Sequence, residues 1–589
     1  MPHPTATELL SGNEAIARGA YEAGVTVATG YPGTPSTEIL EAVAAFKSDI
    51  YSEWSPNEKV ALEVAVGASL TGARSIVTMK HVGLNVAADP LMTFSYIGAV
   101  GGLVVCVADD PGMHSSQNEQ DTRHYARLAK IPIFEPSDSQ EARDFTALAL
   151  EISERYQTPV ILRSTTRIGH SRSVVTLGQR AKPAKAPAFV KDPPRYVPIP
   201  IWGRVMRRTV EDRLPKLRAA ACESTANRIE LRDPALGIVT SSVAYQYVRD
   251  IWPEASVLKL GWAYPFPDDL IRRFAGQVKR LLVVEELDDF LEEHIKALGI
   301  PCDGRNVIPG IGEFSPTVLR AARAKFEAQA PAAFKPRAET QDLPQRPPVL
   351  CPGCPHRGIF YALAQFDVVV TGDIGCYSLG VFPPLNRIDT ILCMGAGVSM
   401  TQGFEKAGEP KRVVGMVGDS TFFHSGMTGL LNIAYNRGSA VIVVVDNRTT
   451  AMTGHQPNPG SGETLMGEPA PTASIEAIAS ACGVKRVFTV NPYEVQNTIQ
   501  VVKESLEAKE PTVIVSRAPC PLDEGKPVGE TLAINTDQCQ ECYECLGLGC
   551  PAIERDEAHG LRINDLLCGG CDLCKQVCSF DAIAPKAGA

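Results

Sequence analysis

Eight of the 17 cysteines fall between Cys539 and Cys578, in two runs. Cys539, Cys542, Cys545 and Cys550 are spaced C-x2-C-x2-C-x4-C, and Pro551 follows the last of them. Cys568, Cys571, Cys574 and Cys578 are spaced C-x2-C-x2-C-x3-C. Thiols at this density, in a long chain whose first residues show no basic segment and apolar run, read as metal ligands. Two four-thiol sites could hold zinc. A second group of residues has harder chemistry. Gly418-Asp419-Ser420 is followed, after 25 residues, by Asp446-Asn447. Asp419 can offer a carboxylate, Asn447 an amide oxygen and Thr449 a backbone carbonyl, the oxygen donors that a divalent cation on a diphosphate requires. Gly418 permits close backbone approach, and the helix start after it favours negative charge.

The two cysteine runs resemble the bacterial ferredoxin pattern, in which the fourth cysteine of each run serves the other 4Fe–4S cluster. Crossing them gives Cys539, Cys542, Cys545 and Cys578 for one cluster, and Cys550, Cys568, Cys571 and Cys574 for the other. The Gly418–Asn447 segment resembles the metal and diphosphate motif of thiamine diphosphate enzymes. Ser420 and Asp446 depart from the commonest form of that motif, Gly-Asp-Gly and Asn-Asn. The resemblance implies Mg2+ on Asp419, Asn447 and Thr449, with Gly418 and Ser420 against the diphosphate. Enzymes of this kind activate the cofactor with a glutamate held in a mostly apolar pocket. Glu63, followed by small residues and by Gly72, is the preferred candidate, and Glu58 is its competitor.

Elements that can position these residues are legible in outline. Ser11 and Glu14 form a capping-box pattern for a helix ending near Gly24. Apolar runs at 25–28, 75–79, 103–108 and 159–162 alternate with helical patterns, which predicts a mostly parallel, doubly wound sheet. Residues 180–227 are dense in proline and predict an irregular linker or strap. Strands are expected at 237–241 and 280–285, and a second connector at 329–349. Nearly continuous Val and Ile at 368–370, 413–417 and 441–445 predict strands buried on both faces, with a helix from Ser425 to Arg437 between the polar ends. The expected fold class is therefore multidomain α/β. It comprises a pyrimidine-binding domain (1–178), a linker (179–227), a domain resembling the transketolase C-terminal domain (228–328), a linker (329–349), a diphosphate-binding domain (350–530) and a two-cluster ferredoxin domain (531–589).

Composition sets limits. A net charge of −10 over 589 residues provides no basic field for nucleic acid. Hydrophobic residues at 44% and charged residues at 21% are those of an ordinary globular protein. No apolar run is long enough to span a membrane, and a cytoplasmic location is expected.

Taken in order, these units resemble the large, alpha subunits of the indolepyruvate:ferredoxin oxidoreductases, within the 2-oxoacid:ferredoxin oxidoreductases. The motifs 31–36, 80–85, 351–356 and 372–376 carry the likeness. It implies oxidative decarboxylation of an aryl pyruvate with coenzyme A, giving an arylacetyl-CoA, carbon dioxide and reduced ferredoxin. It implies a third, proximal cluster on Cys351, Cys354, Cys376 and Cys520, and cofactor contacts at Gly372 and Asp373. Thr34, Lys80, His81 and His424 become candidates near the reacting centre, and Arg123 or Arg127 a possible carboxylate clamp. Cys106, Cys222, Cys302, Cys393 and Cys482 are expected to be packing residues. A small beta (gamma-type) subunit is implied, in a heterotetramer of two large and two small chains. Competing readings are an oxidoreductase for phenylglyoxylate or phenylpyruvate, a non-oxidative thiamine decarboxylase, and an electron-transfer subunit.

Overall fold

The computed structural model describes residues 6–182, 188–327, 348–524, 528–556 and 560–586. The chain divides into two compact units, residues 1–340 and 341–589. The expected 329–349 connector lies almost wholly outside the described residues.

In the first unit a seven-stranded sheet runs in the order Trp262–Tyr264, Ile133–Phe134, Val160–Thr165, Leu103–Asp109, Ser75–Lys80, Val27–Gly30, Tyr51–Trp54. All neighbours are parallel except Trp262–Tyr264, which pairs antiparallel with Ile133–Phe134. Helices cross between the strands. Gly12–Glu22 starts on the expected capping box: Ser11 Oγ accepts from Glu14 N at 3.2 Å, and Glu14 Oε2 accepts from Ser11 N at 2.7 Å. Glu58–Leu70 starts on Asn57, whose side chain accepts from Val60 N. A four-stranded sheet follows, ordered Leu281–Val284, Asp233–Thr240, Ala255–Leu260, Asn227–Glu230, with the last strand antiparallel.

The two segments share one core rather than forming separate bodies. A single hydrophobic cluster runs from Ala61 and Phe94 to Phe274 and Ile295. Charges are buried at and near the same boundary, with the Arg123–Glu285 pair crossing it. Arg123, 1% exposed, donates to Asp121 Oδ2 at 2.5 Å and to Glu285 Oε2 at 2.6 Å. Arg163 donates to Asp109 Oδ2 at 2.6 Å and also pairs with Glu135. Arg123 is thus neither a surface arginine nor open to a substrate, and Arg127 is exposed and paired with Glu293.

The proline-dense segment departs from its expectation of irregularity. Pro200–Glu223 is a helix of 24 residues. Pro200 stands at its first turn, where no backbone donor is needed. Pro215 lies inside it, and the helix is fixed instead by burying Met206, Val210, Leu217 and Ala221. Arg213 adds hydrogen bonds to Ser95 O and Gln157 O, both at 2.8 Å.

In the second unit five parallel strands are ordered Val368–Thr371, Arg412–Gly418, Val441–Asp446, Thr512–Arg517, Arg486–Val490. Hydrophobic clusters cover both faces, as the Val-rich strands predict. The helix expected from Ser425 begins earlier. Residues Asp419–Thr421 form one α-turn, Phe422–Gly426 a π-turn, and Met427–Tyr435 the remainder. The cysteine-rich tail forms two small antiparallel pairs, Leu532–Ile534 with Ile583–Pro585 and Ile553–Asp556 with Gly560–Ile563.

Glu286 provides a test of the buried charge network. It accepts from Phe314 N at 2.8 Å, and burial pushes its carboxyl up to about 7. Its neutral form is favoured on folding, so this stability is present below about pH 4.5 and is lost as pH rises through 7. Glu286→Gln is expected to remove that slope. Denaturant unfolding between pH 5 and 8 should show the variant gaining on the parent by an amount on the order of 3 kcal/mol at the alkaline end. An unchanged pH slope would exclude Glu286 as its source.

Candidate functional site

Parallel sheets collect polar turns at the carboxyl ends of their strands, and both units do so. In the first unit, Thr34, Lys80, His81, Asp110 and Glu58 all follow strand ends. Lys80 Nζ donates to Ser115 O at 2.6 Å, and Ser115 Oγ donates to Thr34 O at 3.1 Å. Asp110 holds the same loop through Ser115 N at 2.8 Å and Ser116 Oγ at 2.6 Å. Burial lowers the Lys80 amine to about 8, against the opposing pull of Asp110. His81 is buried, lies 3.2 Å from Asn118 O, and is pushed towards its neutral form by desolvation.

The glutamate assignment changes. Glu63 is exposed and pairs with Lys59 one helical turn away. Glu58 is 5% exposed, and a Cβ at Gly83 would lie 2.5 Å from its Oε1. Gly83 belongs to the 80–85 motif, so its missing side chain is what admits the Glu58 carboxyl. The carboxyl held among packed residues is therefore that of Glu58, not Glu63.

In the second unit the sequence motif closes into a polar pocket. Asp419, Asp446, Asn447 and Thr449 are all buried. Asp446 Oδ2 accepts from Arg517 Nε at 2.6 Å. Asp419 Oδ2 accepts from Asn458 Nδ2 at 3.0 Å. Burial, and then the neighbouring Asp446 charge, push Asp419 up to about 7. A bound cation would reverse that penalty. Thr449 Oγ1 is buried with no hydrogen-bond partner, and a Cβ at Gly418 would lie 3.0 Å from the Tyr377 ring. Oxygen donors, an unpartnered hydroxyl and a glycine cradle suit a hard cation carrying a diphosphate. Asn458 was not among the sequence candidates; it lies in a loop with no spacing signal.

Asp373 is committed elsewhere. Its carboxylate accepts three backbone N–H groups, from Ile374, Gly395 and Gly397, at 2.8, 3.0 and 2.8 Å. It therefore ties the 372–376 turn to the start of helix Ala396–Ala407, and burial raises it to about 7. Ser420 is buried on the first turn after the strand. His424 is buried in the π-turn, its Nδ1 2.6 Å from Ser425 Oγ. Such single π-turns recur at functional sites.

The twelve cysteines fall into three groups by mutual electrostatic influence. Cys545 is perturbed by Cys542, Cys539 and Cys578, after burial. Those four thiols also line one small cavity. Cys571 and Cys574 are perturbed by Cys550 and Cys568. These are the two crossed sets. Cys376 is perturbed by Cys351 and Cys520, and Cys354 by Cys351 and Cys376. All are free thiols, a donor set suited to iron–sulfur clusters. Cys520 reaches its group because its loop crosses the strand end, Cys520 N donating to Asn447 O at 3.2 Å. Of the five remaining cysteines Cys106 is fully buried, while Cys393 is exposed and so does not serve as a packing residue.

Known proteins align with this arrangement. Residues 18–211 match the family model for the thiamine diphosphate-binding part of pyruvate flavodoxin/ferredoxin oxidoreductases. Residues 373–516 match the C-terminal thiamine pyrophosphate-binding domain of thiamine pyrophosphate enzymes. The two sheets are thus thiamine diphosphate-binding domains. The indolepyruvate oxidoreductase subunit IorA of Methanothermobacter thermautotrophicus is 45% identical, over 98% of this chain and 97% of its own length. That of Archaeoglobus fulgidus is 41% identical, over 98% and 97%. A 2-oxoglutarate:ferredoxin oxidoreductase from Magnetococcus marinus superposes with a TM-score of 0.45 and 17% identity, over 55% of this chain and 66% of that one. The chain belongs to the indolepyruvate oxidoreductase IorA family, the large subunits of 2-oxoacid:ferredoxin oxidoreductases. Among the described residues no helix is long and apolar enough to cross a membrane.

The crossed grouping makes a selective prediction. Cys550→Ser is expected to strip iron from the Cys568, Cys571 and Cys574 group and to spare the Cys539 group. Iron content and low-temperature paramagnetic resonance of the reduced protein would check this. Loss of the Cys539 signal, with the other kept, would mean an uncrossed arrangement.

Proposed function

We propose that the chain is the catalytic large subunit of an enzyme that oxidatively decarboxylates aryl pyruvates of the indolepyruvate type. Coenzyme A takes the acyl group as an arylacetyl-CoA, carbon dioxide leaves, and an electron pair passes singly to ferredoxin. The observation that carries the reading is the meeting of a diphosphate-type cation pocket and three thiol groups in one 249-residue unit. The near full-length identity with proteins named indolepyruvate oxidoreductase subunits supports the substrate class.

Thiamine diphosphate, when bound, supplies the carbanion chemistry that a 2-oxoacid decarboxylation requires. Asp419, Asn447 and Thr449 hold the Mg2+, and Gly418 and Ser420 receive the diphosphate. Asn458 orients the Asp419 carboxylate towards the ion. Asp373 and Gly372 act one step back, fixing the turn beside the pocket. Glu58 would hold the proton exchanged with the cofactor's aminopyrimidine, its carboxyl being buried beside Gly83. Thr34, Lys80 and His81 serve the substrate end, with Lys80 attracting a carboxylate. His424 is placed to move a proton at the reacting centre. The thiol groups hold 4Fe–4S clusters: a proximal one on Cys351, Cys354, Cys376 and Cys520, and two in a ferredoxin-like tail. A small beta subunit completes a cytoplasmic assembly of two large and two small chains.

Two experiments test this. The complex with its small subunit is mixed anaerobically with indolepyruvate and coenzyme A. Cluster reduction together with an arylacetyl-CoA product is expected. Oxidised clusters with an aldehyde product would make it a non-oxidative decarboxylase, and faster turnover of phenylglyoxylate or phenylpyruvate would move the substrate. Separately, Glu58→Gln is expected to lower kcat at least about 100-fold, within the range of a lost acid–base group. Glu63→Gln should change it less than about threefold, as expected for an exposed helical ion pair. The reverse order would restore Glu63 to the site.

A further inference from the structure

Arg357 is 1% exposed, and among the described residues no carboxylate forms an ion pair with it. Its guanidinium makes hydrogen bonds to carbonyl oxygens alone. Nη1 donates to Leu548 O at 2.8 Å, Nε and Nη2 to Cys351 O at 3.2 Å each, and Nη2 also to Leu350 O. One fork thus spans the backbone at Cys351 and the backbone just before Cys550. Gly549 leaves the room: a Cβ there would lie 3.3 Å from Nη1.

The two cysteine groups approach each other at this place. A Cβ on Gly353, between Cys351 and Cys354, would lie 3.9 Å from the Cα of Gly569, between Cys568 and Cys571. Tyr493 closes the same seam, its hydroxyl donating to Gly353 O at 2.6 Å, while Gln576 Nε2 donates to Tyr493 O at 2.7 Å. The charges acting on Arg357 come from Cys550, Cys354, Cys571 and Cys351, two from each group.

A buried guanidinium cannot shed its proton, and an uncompensated buried charge is strongly unfavourable. Carbonyl dipoles solvate it but do not neutralise it. Arg213 is also buried with carbonyl partners alone, but Arg357 differs in standing between two thiol groups that can supply anionic charge. We infer that Arg357 is a shared counter-cation for two iron–sulfur clusters, one on the Cys351 group and one on the Cys550 group, and that it raises the reduction potential of both. This rests on the iron–sulfur reading given above. Each cluster gains one electron, and so one negative charge, on reduction. A fixed positive charge between them favours that gain on either side and lowers the penalty for both being reduced together.

The test is an equilibrium redox titration of the whole complex with dithionite as reductant, followed by paramagnetic resonance. Iron and sulfide are counted first in the parent protein. If either group holds no iron, the iron–sulfur reading fails and this inference fails with it. With iron present, Arg357→Gln should lower the midpoint of those two clusters by about 59 mV, a tenfold change in the reduced-to-oxidised ratio for one electron. The cluster on the Cys539 group is the internal control and should stay unmoved. Arg357→Lys keeps the charge and should hold both midpoints close to the parent. Unshifted midpoints in Arg357→Gln, an equal shift in all three clusters, or a shift in Arg357→Lys as large as in Arg357→Gln would each overturn the inference. Should Arg357→Gln lose its clusters, Arg357→Lys decides. Retained clusters at parental potential support a requirement for charge, whereas loss from both variants makes Arg357 a structural clamp and overturns it.

Discussion

Asp446 and Arg517 stand opposite each other on neighbouring parallel strands and are joined at 2.6 Å. The rest of the second unit's polar edge depends on that pair. Two aspartates, 419 and 446, are buried at adjoining strand ends, and two carboxylates so placed cannot both be charged without compensation. Arg517 neutralises one. Asp419 is left with amide donors, from Asn458 and the backbone at 419–420, and a raised affinity for protons. The pocket is therefore built one positive charge short. That is the charge a divalent cation would supply, above strands buried on both faces.

Parallel register also explains why residues far apart in sequence share this edge. Cys376 follows the first strand of the sheet and Cys520 the fourth, yet both turn over the ends of strands that bear the acidic pair. Asp373 is spent on three backbone donors that hold one of these turns. A carboxylate in that role is as buried as a metal ligand, and its raised proton affinity looks the same. Surroundings separate them: Asp373 accepts three backbone N–H groups that tie two segments together, whereas Asp419 lies beside a second carboxylate, Asp446.

What the sequence made legible follows from how local each signal is. Cysteine spacings are short-range, and in the fold Cys539, Cys542, Cys545 and Cys578 line one small cavity. The Gly418–Asn447 motif sits on two strand ends and survives intact. The choice between Glu58 and Glu63 depended on helix phase, which spacing does not report. Five residues rotate a side chain by about 140°, so one glutamate packs against Gly83 while the other faces solvent. Counting small residues after a glutamate could not tell which. Asn458 had no motif at all, and Arg357, although it directly follows the 351–356 motif, is singled out only by burial against distant backbone. The prolines of 180–227 misled in the opposite way. Composition counts them all as breakers, but a helix accepts one at its first turn, and burial on one face carries the chain past Pro215.

Most buried charge in the first unit is matched within the fold, and two exceptions in the second unit bear on function. In the first unit Arg123 meets Asp121 and Glu285, Arg163 meets Asp109 and Glu135, and Lys259 meets Glu141 at 2.5 Å. Each of these three cations has its anion within the fold, and the Arg123–Glu285 and Lys259–Glu141 pairs join the two sheets, while Arg213 is a first-unit exception held by carbonyl groups alone. In the second unit Asp419 lacks a cation and Arg357 lacks an anion. Folding alone gains nothing from either charge. Their burial is intelligible if each answers a charge of opposite sign that arrives with a bound group, a cation for Asp419 and anionic thiolate clusters for Arg357. In the second unit these two unmatched charges stand where the sequence motifs already call for a bound cation and for thiolate clusters.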